Sequence, residues 1–309
     1  LPVNMWLHKP DVDQDPVALA EDQIYCAKEY DFDFIKMMPF GNYAASDYGL
    51  SCTYFCTKLD AVLERKWGIQ CLDDYKRVVP KPGYFGTHGK VLMIAQELQR
   101  QLKGEDIPYI QTIFSPITNL KKLAGPRVIQ DMREHPEIIH AALEAFTETT
   151  IDFIKLNIEA GVSGFFFASQ CSTTDLMTEA EYDEFGVKYD LKLFDAMKDC
   201  WFNVVHIHGE NTMWDKLAQY PAQCINWHDR WVAPTMAEAR KKTNKCLMGG
   251  INEAKFADMT PGEVKHHVQE AVDILGGNTK GVILSPGCVA HSNSPEINYY
   301  ALRMAVGIL

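Results

Sequence analysis

The feature that most restricts this chain is a repeated switch of hydrophobic period. Short apolar runs that fit strands take turns with longer stretches whose apolar residues recur at the helical spacing. From residue 107 the order is regular: strand 107–115, helix 136–159, strand 161–168, helix 178–198, the strand around His206, helix 212–219, strand 222–227, helix 235–242 and strand 245–251. A helix opening at residue 260, a strand running from 281 to Cys288 and a helix from 295 follow. Upstream, strand 3–7, helix 15–30, strand 32–39 and helix 89–103 extend the pattern. Helix starts carry their own signals. Pro16 and Pro261 sit in first turns, Thr178 and Thr260 each precede a Glu by three residues, and Ser294 is a candidate cap. Alternation without a linker or low-complexity segment implies a parallel sheet. About eight strands in 309 residues predict one (β/α)8 TIM-type barrel domain, residues 1–309. The Gly-, Tyr- and Cys-rich stretch 41–86 is expected to be an N-terminal insertion of loops and small hairpins over the site. An open doubly wound sheet is the alternative, disfavoured because no Gly-rich phosphate loop follows a strand.

In a barrel the chemistry gathers at the C-terminal strand ends, and His206, His208, Trp227, His228, Asp229, Asn252 and Cys288 all fall there. His206 and His208 are two residues apart on a strand and so share a face. Two buried imidazoles are costly unless something binds them. Two readings stand: a hydrogen-bonded core pair, or two ligands of a metal. A thiolate at another strand end, Cys288, makes a zinc site from His206, His208 and Cys288 the central expectation, with Glu210 or His291 as further candidates. His228 and Asp229 are the candidate catalytic pair, Asp229 as a carboxylate that orients substrate or a histidine. Trp227, Asn252 and Met37 are candidate substrate contacts.

Charge and cysteine usage narrow the partners. Thirty basic against 41 acidic residues, a net charge of −11, disfavours nucleic acid. No apolar run approaches a membrane span. The opening residues Leu1 to Asn4 lack the charged head and apolar core of a signal peptide, and the nine cysteines form no CxxC pair. A reduced, cytoplasmic protein is expected.

Several segments, taken in order, resemble one family. They are Trp6-Leu7-His8, Phe32-Asp33-Phe34-Ile35-Lys36, Phe114-Ser115-Pro116-Ile117-Thr118, His206-Ile207-His208-Gly209, Gly249-Gly250-Ile251-Asn252 and Leu284-Ser285-Pro286-Gly287-Cys288. Together they are similar to the uroporphyrinogen decarboxylase superfamily, and within it to the methylcobamide-dependent, coenzyme M-type methyltransferases. The resemblance implies a TIM-type barrel and a zinc held by a His-x-Cys pair and a later Cys. His206 matches the first ligand and Cys288 the last, while His208 stands where the family has Cys. That exchange of a thiolate for a neutral ligand makes the metal more positive and puts coenzyme M in doubt. The Arg-rich N-terminal segment of the decarboxylases is replaced by His8-Lys9-Pro10-Asp11, and Met37-Met38-Pro39 stands in the region of their Ser-Asp.

The resemblance therefore implies a zinc-dependent methyltransferase. It would move a methyl group between a corrinoid (methylcobalamin) carried by a partner protein and a small thiol or methyl ether, the latter by O-demethylation. This chain has no cobalamin-binding Asp-x-His-x-x-Gly segment of its own. The alternatives are a metal-independent decarboxylase, a zinc hydrolase of the HxH type, and a non-catalytic barrel that binds a small molecule.

Overall fold

The computed structural model describes residues 1–59 and 62–308. Among the described residues nine strands occur, in chain order β1 (Ile35–Lys36), β2 (Ser51–Thr53), β3 (Leu63–Lys66), β4 (Tyr109–Phe114), β5 (Gly164–Ser169), β6 (Val204–Ile207), β7 (Cys224–Trp227), β8 (Cys246–Ile251) and β9 (Val282–Pro286). Seven form one all-parallel sheet in the order β1-β4-β5-β6-β7-β8-β9, so each sheet strand after β1 pairs with its predecessor. Helices lie between consecutive strands. β4, β5, β6 and β7 are buried along their whole length, as expected of parallel strands covered on both faces.

Of the eight strands expected, the first is reduced. Residues 3–7 make isolated parallel bridges, Val3 to Leu284 and Leu7 to Ala290. Asn4 N donates to Leu284 O (3.0 Å) and Leu284 N to Pro2 O (2.8 Å) on one side, while Asp33 N donates to Val3 O (3.0 Å) on the other. The ladder does not extend there, because the Asp33 carboxylate itself takes the Val3 N–H at 2.7 Å.

Alternation along β5 sorts its side chains into two layers. Phe167 turns to the helices and packs on Phe194, with ring centroids 5.0 Å apart. Phe166 turns inward and stacks on His206 at 5.1 Å. The inner layer is thus already shaped as a site, while the outer layer is apolar core.

Local departures from the sequence expectation have physical causes. The helix expected over 178–198 is broken into Glu179–Tyr182, a π-turn Asp183–Val187 and Lys188–Ala196. Tyr182 packs so tightly on Gly186 that a Cβ there would stand 2.6 Å from the ring. The strand expected at 32–39 contracts to β1, and the helix expected at 212–219 to Trp214–Leu217. Two short helices absent from the sequence expectation, Pro116–Ala124 and Arg127–Glu134, fill the stretch after β4. The last helix begins at Glu296, and the Ser294 hydroxyl donates to His291 O. Residues 41–86 hold a short helix, Tyr43–Ser46, the β2–β3 antiparallel ladder and a 3₁₀ turn, Leu72–Arg77; residues 60 and 61 of that stretch lie outside those described. Among the described residues, no helix is long and apolar enough to cross a membrane.

Candidate metal centre

Strands β6, β7 and β9 bring four potential ligands to one point. His206 is the third residue of β6 and His208 follows its end, so the two-residue spacing carries both rings inward. His228 is the first residue past β7. Cys288 lies two residues past β9 and arrives through Gly287, where a Cβ would come within 2.6 Å of Trp227 O. Only a residue without a side chain lets this turn close on β7. One ligand atom from each of His206, His208, His228 and Cys288 falls within 4.8 Å of the other three.

The separations suit a tetrahedral ion. Zn–N bonds near 2.0–2.1 Å and Zn–S near 2.3 Å imply edges of roughly 3.3 Å between nitrogens and roughly 3.6 Å between nitrogen and sulfur. His208 Nδ1 lies 3.2 Å from His228 Nε2 and 3.6 Å from Cys288 Sγ. A proton on His208 Nδ1 would serve only part of this group, whereas a cation serves all four atoms.

The surroundings set which ring atoms face inward. Asn226 donates both N–H bonds of its amide to backbone oxygens, Met248 O at 2.9 Å and Pro286 O at 3.0 Å. Its Oδ1 is therefore turned to His206 Nδ1, 2.6 Å away, and that nitrogen must carry the proton. The lone pair of His206 is left on Nε2. Likewise Glu253 Oε1 lies 2.6 Å from His228 Nδ1 and accepts its proton, leaving His228 Nε2 free. Glu253 Oε1 also accepts from Trp231 Nε1 at 2.9 Å. Carboxylate or amide oxygens behind ligating histidines are a regular feature of metal sites.

Electrostatics agree with neutral imidazoles. Burial, then the neighbouring His208 and His228, holds His206 well below the usual histidine range. Burial, then His228, brings His208 down to about 4. Burial pushes the Cys288 thiol up to about 11, so a metal entering here would displace its proton. Burial works against the charge of Glu253, but the hydrogen bonds from His228, the backbone and Trp231 with the nearby His228 together outweigh it and keep the carboxyl below its ordinary value.

Beside the ligands lies a cavity of about 110 Å³. His206 and Cys288 form one wall, and Trp6, His8, Lys36, Phe114, Lys122 and Phe166 much of the remainder. Burial brings Lys36 and Lys122 each to about 7, and His8 to about 4.

The other candidate residues lie outside this lining. Asp229 takes the Gly250 N–H on both oxygens at 3.0 Å, and burial lifts it to about 7. Trp227 is fully buried and donates to Pro234 O. Asn252 Oδ1 accepts from Ala254 N, and Met37 is buried without reaching the cavity. His228, read from sequence as a catalytic group, stands among the potential ligands. The sequence reading passed over Glu253 and Asn226; the only sign of Asn226 was a polar residue inside an otherwise apolar strand. It also gave no role to Lys36, although a lysine between Ile35 and Met37 in a buried strand is a signal of the same kind.

Known proteins share this architecture. The uroporphyrinogen decarboxylase (URO-D) family model matches residues 8–307. The methylcobamide:CoM methyltransferase MtbA of Methanosarcina acetivorans is 22% identical over 224 residues, 70% of this chain and 63% of that protein. A uroporphyrinogen decarboxylase of Aliivibrio salmonicida is 22% identical over 244 residues, 74% of this chain and 66% of that protein. The chain thus spans just under two thirds of the length of these relatives. A solved methyltransferase from Methanosarcina mazei superposes with a TM-score of 0.81 over 100% of this chain and 94% of its own, at 15% identity, a likeness of fold. With the family model running over nearly its whole length, the chain belongs to the uroporphyrinogen decarboxylase family.

Proposed function

We propose that this protein is a zinc-dependent methyltransferase that moves a methyl group between a corrinoid held by a partner protein and a small thiol or methyl ether. In this reading residues 3–7 stand in for the eighth strand of a TIM-type barrel, and the nine free cysteines suit a reduced cytoplasm. One observation carries the proposal: four ligand atoms within 4.8 Å of one another, two of them on rings whose free lone pair is set by Asn226 and Glu253.

His206, His208, His228 and Cys288 would hold the zinc, and one of them would have to give way for a substrate atom to reach it. When bound, zinc supplies Lewis acidity, lowering the pKa of a thiol or polarising an ether oxygen. The protein's own part is preparation. Burial keeps the His206 and His208 imidazoles neutral, Cys288 would release its proton on binding the metal, and Asn226 and Glu253 prevent the His206 and His228 rings from turning. Trp6, Phe114 and Phe166 keep the adjoining cavity apolar. Three neutral ligands and one thiolate leave a net positive centre, which favours an anionic or strongly polarisable acceptor.

A decarboxylase reading has the Aliivibrio relative in its favour. It is weaker because no arginine is found among the described residues lining the cavity. The test is metal analysis followed by methylcobalamin turnover against a panel of thiols and methyl ethers. About one zinc per chain and consumption of methylcobalamin with at least one thiol are expected. A protein that binds no zinc and demethylates nothing is not this enzyme.

A further inference from the structure

Two cysteines face each other across the starts of β7 and β8, at the opposite ends of those strands from the ligand group. The strands run parallel, with Cys224 opposite Cys246, Ile225 opposite Leu247 and Asn226 opposite Met248. Each cysteine is the first residue of its strand, whereas His228 follows the last residue of β7. Residues two apart on a strand share a face, so Cys224 stands on the same inner face as Asn226, and Cys246, its partner in register, stands beside it. Neighbouring strands lie about 4.8 Å apart, within the roughly 4.4–6.8 Å between Cα atoms that a disulfide spans. Among the described residues the sheets set no other two cysteines opposite one another.

The two thiols are not equivalent. Cys246 is partly exposed, while Cys224 is buried. The Cys224 thiol, hydrogen-bonded to the Cys246 sulfur, foremost holds Cys246 below the ordinary thiol range against burial, and the charge of Arg240 adds to the effect. The same contact, then burial, pushes Cys224 up. Arg240 is fixed in place: its guanidinium donates to Lys245 O at 2.9 Å and to Gly281 O at 2.8 Å, and Lys245 immediately precedes Cys246. Cys26, also partly exposed, shows the contrast, because burial and then Asp22 push its thiol up to about 12. A partly exposed sulfur inclined to ionise, with a buried one within reach, is the arrangement of an attacking and a resolving thiol.

We propose that Cys224 and Cys246 form a redox-active pair that closes reversibly to a disulfide by exchange with a small-molecule disulfide. The Cys246 thiolate attacks one sulfur of the reagent. The reagent's S–S bond breaks, and its first half leaves as a thiolate that takes up a proton. Cys224 then loses its proton to solvent, and its sulfur displaces the second half from Cys246. The protein gives up two electrons and two protons, and the reagent is reduced to two thiols. In a reducing compartment such a bond is transient, which suits a sensor of thiol balance rather than a structural brace. The pair lies outside the ligand group, so it stands whether or not the chain transfers methyl groups.

The protein as purified is equilibrated with 2-hydroxyethyl disulfide and 2-mercaptoethanol at graded ratios, quenched with iodoacetamide and mapped by peptide mass spectrometry. At the oxidising end a species lighter by two hydrogens is expected, with the peptides of Cys224 and Cys246 linked. Excess 2-mercaptoethanol should return it to the dithiol. Cys224→Ser should accumulate the mixed disulfide on Cys246, and Cys246→Ser should leave Cys224 unmodified. In the reduced protein, alkylation of Cys246 should run roughly tenfold faster than that of Cys26. A measurement without variants uses phenylarsine oxide, which bridges two neighbouring thiols and holds single ones weakly. One equivalent should be taken up and should block closure of the disulfide. A disulfide drawn instead from the exposed Cys56 and Cys71 while this pair stays reduced, or closure that the arsenical does not block, overturns the proposal. So does a mixed disulfide on Cys246 that Cys224 never resolves in the wild type.

Discussion

Two buried polar clusters lie on either side of one peptide link. His208 N donates to Ser169 O at 3.0 Å, joining the ligand group to a second knot behind β5. In that knot Asp190 Oδ2 accepts from Tyr182 and Tyr220, both at 2.8 Å, and Ser169 Oγ lies 2.8 Å from the Tyr182 oxygen and 2.9 Å from Ser172 Oγ. Burial separates the two clusters only in part: Asp190 and Tyr182 are 0% exposed and His206 is 3% exposed, while His208 and Cys288 are half-buried. Orientation separates them fully. In the knot, the hydroxyls and Asp190 Oδ2 are spent on one another, and among the described residues Asp190 Oδ1 stands alone with no further acceptor beside it to share a cation. In the ligand group, Asn226 and Glu253 pull the ring protons outward and leave lone pairs converging on one point. A buried polar cluster therefore points to chemistry only when its acceptors face a common space with no donor in it.

The largest test of this contrast is loss of a ligand on one side against loss of charge on the other. Cys288→Ser or His206→Ala is expected to lose stoichiometric zinc and at least about 100-fold in methyl transfer, more than the 10–100-fold typical of residues behind the ligands. Asp190→Asn should retain one zinc per chain. Chelation should lower the melting temperature of wild-type protein by the linkage term, about 4 kcal/mol if free metal stands 1,000-fold above its Kd. It should do nothing to Cys288→Ser. If chelation leaves the wild type unmoved, the converging lone pairs hold no metal and the contrast between the clusters disappears.

A finer test concerns the groups that turn the rings. Glu253→Gln retains a neutral acceptor for His228 Nδ1, while Asn226→Ala leaves the His206 proton and two backbone oxygens unpaired. Zinc affinity should fall by about 10-fold for the first and nearer 100-fold for the second, measured by competition with a chelating dye. Equal affinity in both variants and wild type would mean that packing alone orients the rings.

How much of this was legible beforehand follows from the range of each interaction. The alternation of periods is local, and it located the parallel sheet and most of its strands. The Thr178–Glu181 and Thr260–Glu263 boxes span three residues, and both formed as read. The HxH pair and Cys288 were visible because strand periodicity dictates side and the strand end dictates depth. His228 was singled out at its strand end, but its place among the ligands depends on the distance to His208, a property of β6–β7 register that no window shows. Glu253 and Asn226 were missed for the same reason, being 25 and 20 residues from the histidines they hold. The reduction of the first strand depends on a single side chain, Asp33, competing for a backbone N–H 30 residues away.

The knot makes its own prediction in pH. Burial lifts Asp190 to about 7, although its bonds from Tyr182 and Tyr220 act in the opposite direction. The native state therefore holds this proton where the unfolded chain, near 3.8, has released it. The contribution is fully present below about pH 4 and is lost as pH rises through about 7. Carboxylates such as Glu253 shift in the other direction, so the measurement is the difference between wild type and Asp190→Asn. Relative to the variant, wild type should lose roughly 2–4 kcal/mol of unfolding free energy between pH 4 and pH 7.5. A difference that stays flat with pH would show the carboxyl ionised and the knot open to water.

The smallest expected effect asks whether the knot is held from outside, as the ligand group is. Tyr182 ends the one-turn helix Glu179–Tyr182, whose start is fixed by Thr178: its Oγ1 accepts from Glu181 N at 3.2 Å, and Glu181 Oε2 accepts from Thr178 N at 2.7 Å. Arg133 donates to the same carboxylate at 2.6 Å, and the Arg133 bond foremost brings Glu181 down to about 2. Thr178→Ala removes one acceptor of this box and should cost about 1 kcal/mol, with zinc content and methyl transfer unchanged. Helix caps act over a single turn, whereas the ligand rings are oriented by β7 and by the segment after β8. If Thr178→Ala also weakened zinc binding, the peptide link from Ser169 to His208 would be transmitting strain between the clusters, and they would have to be treated as one unit.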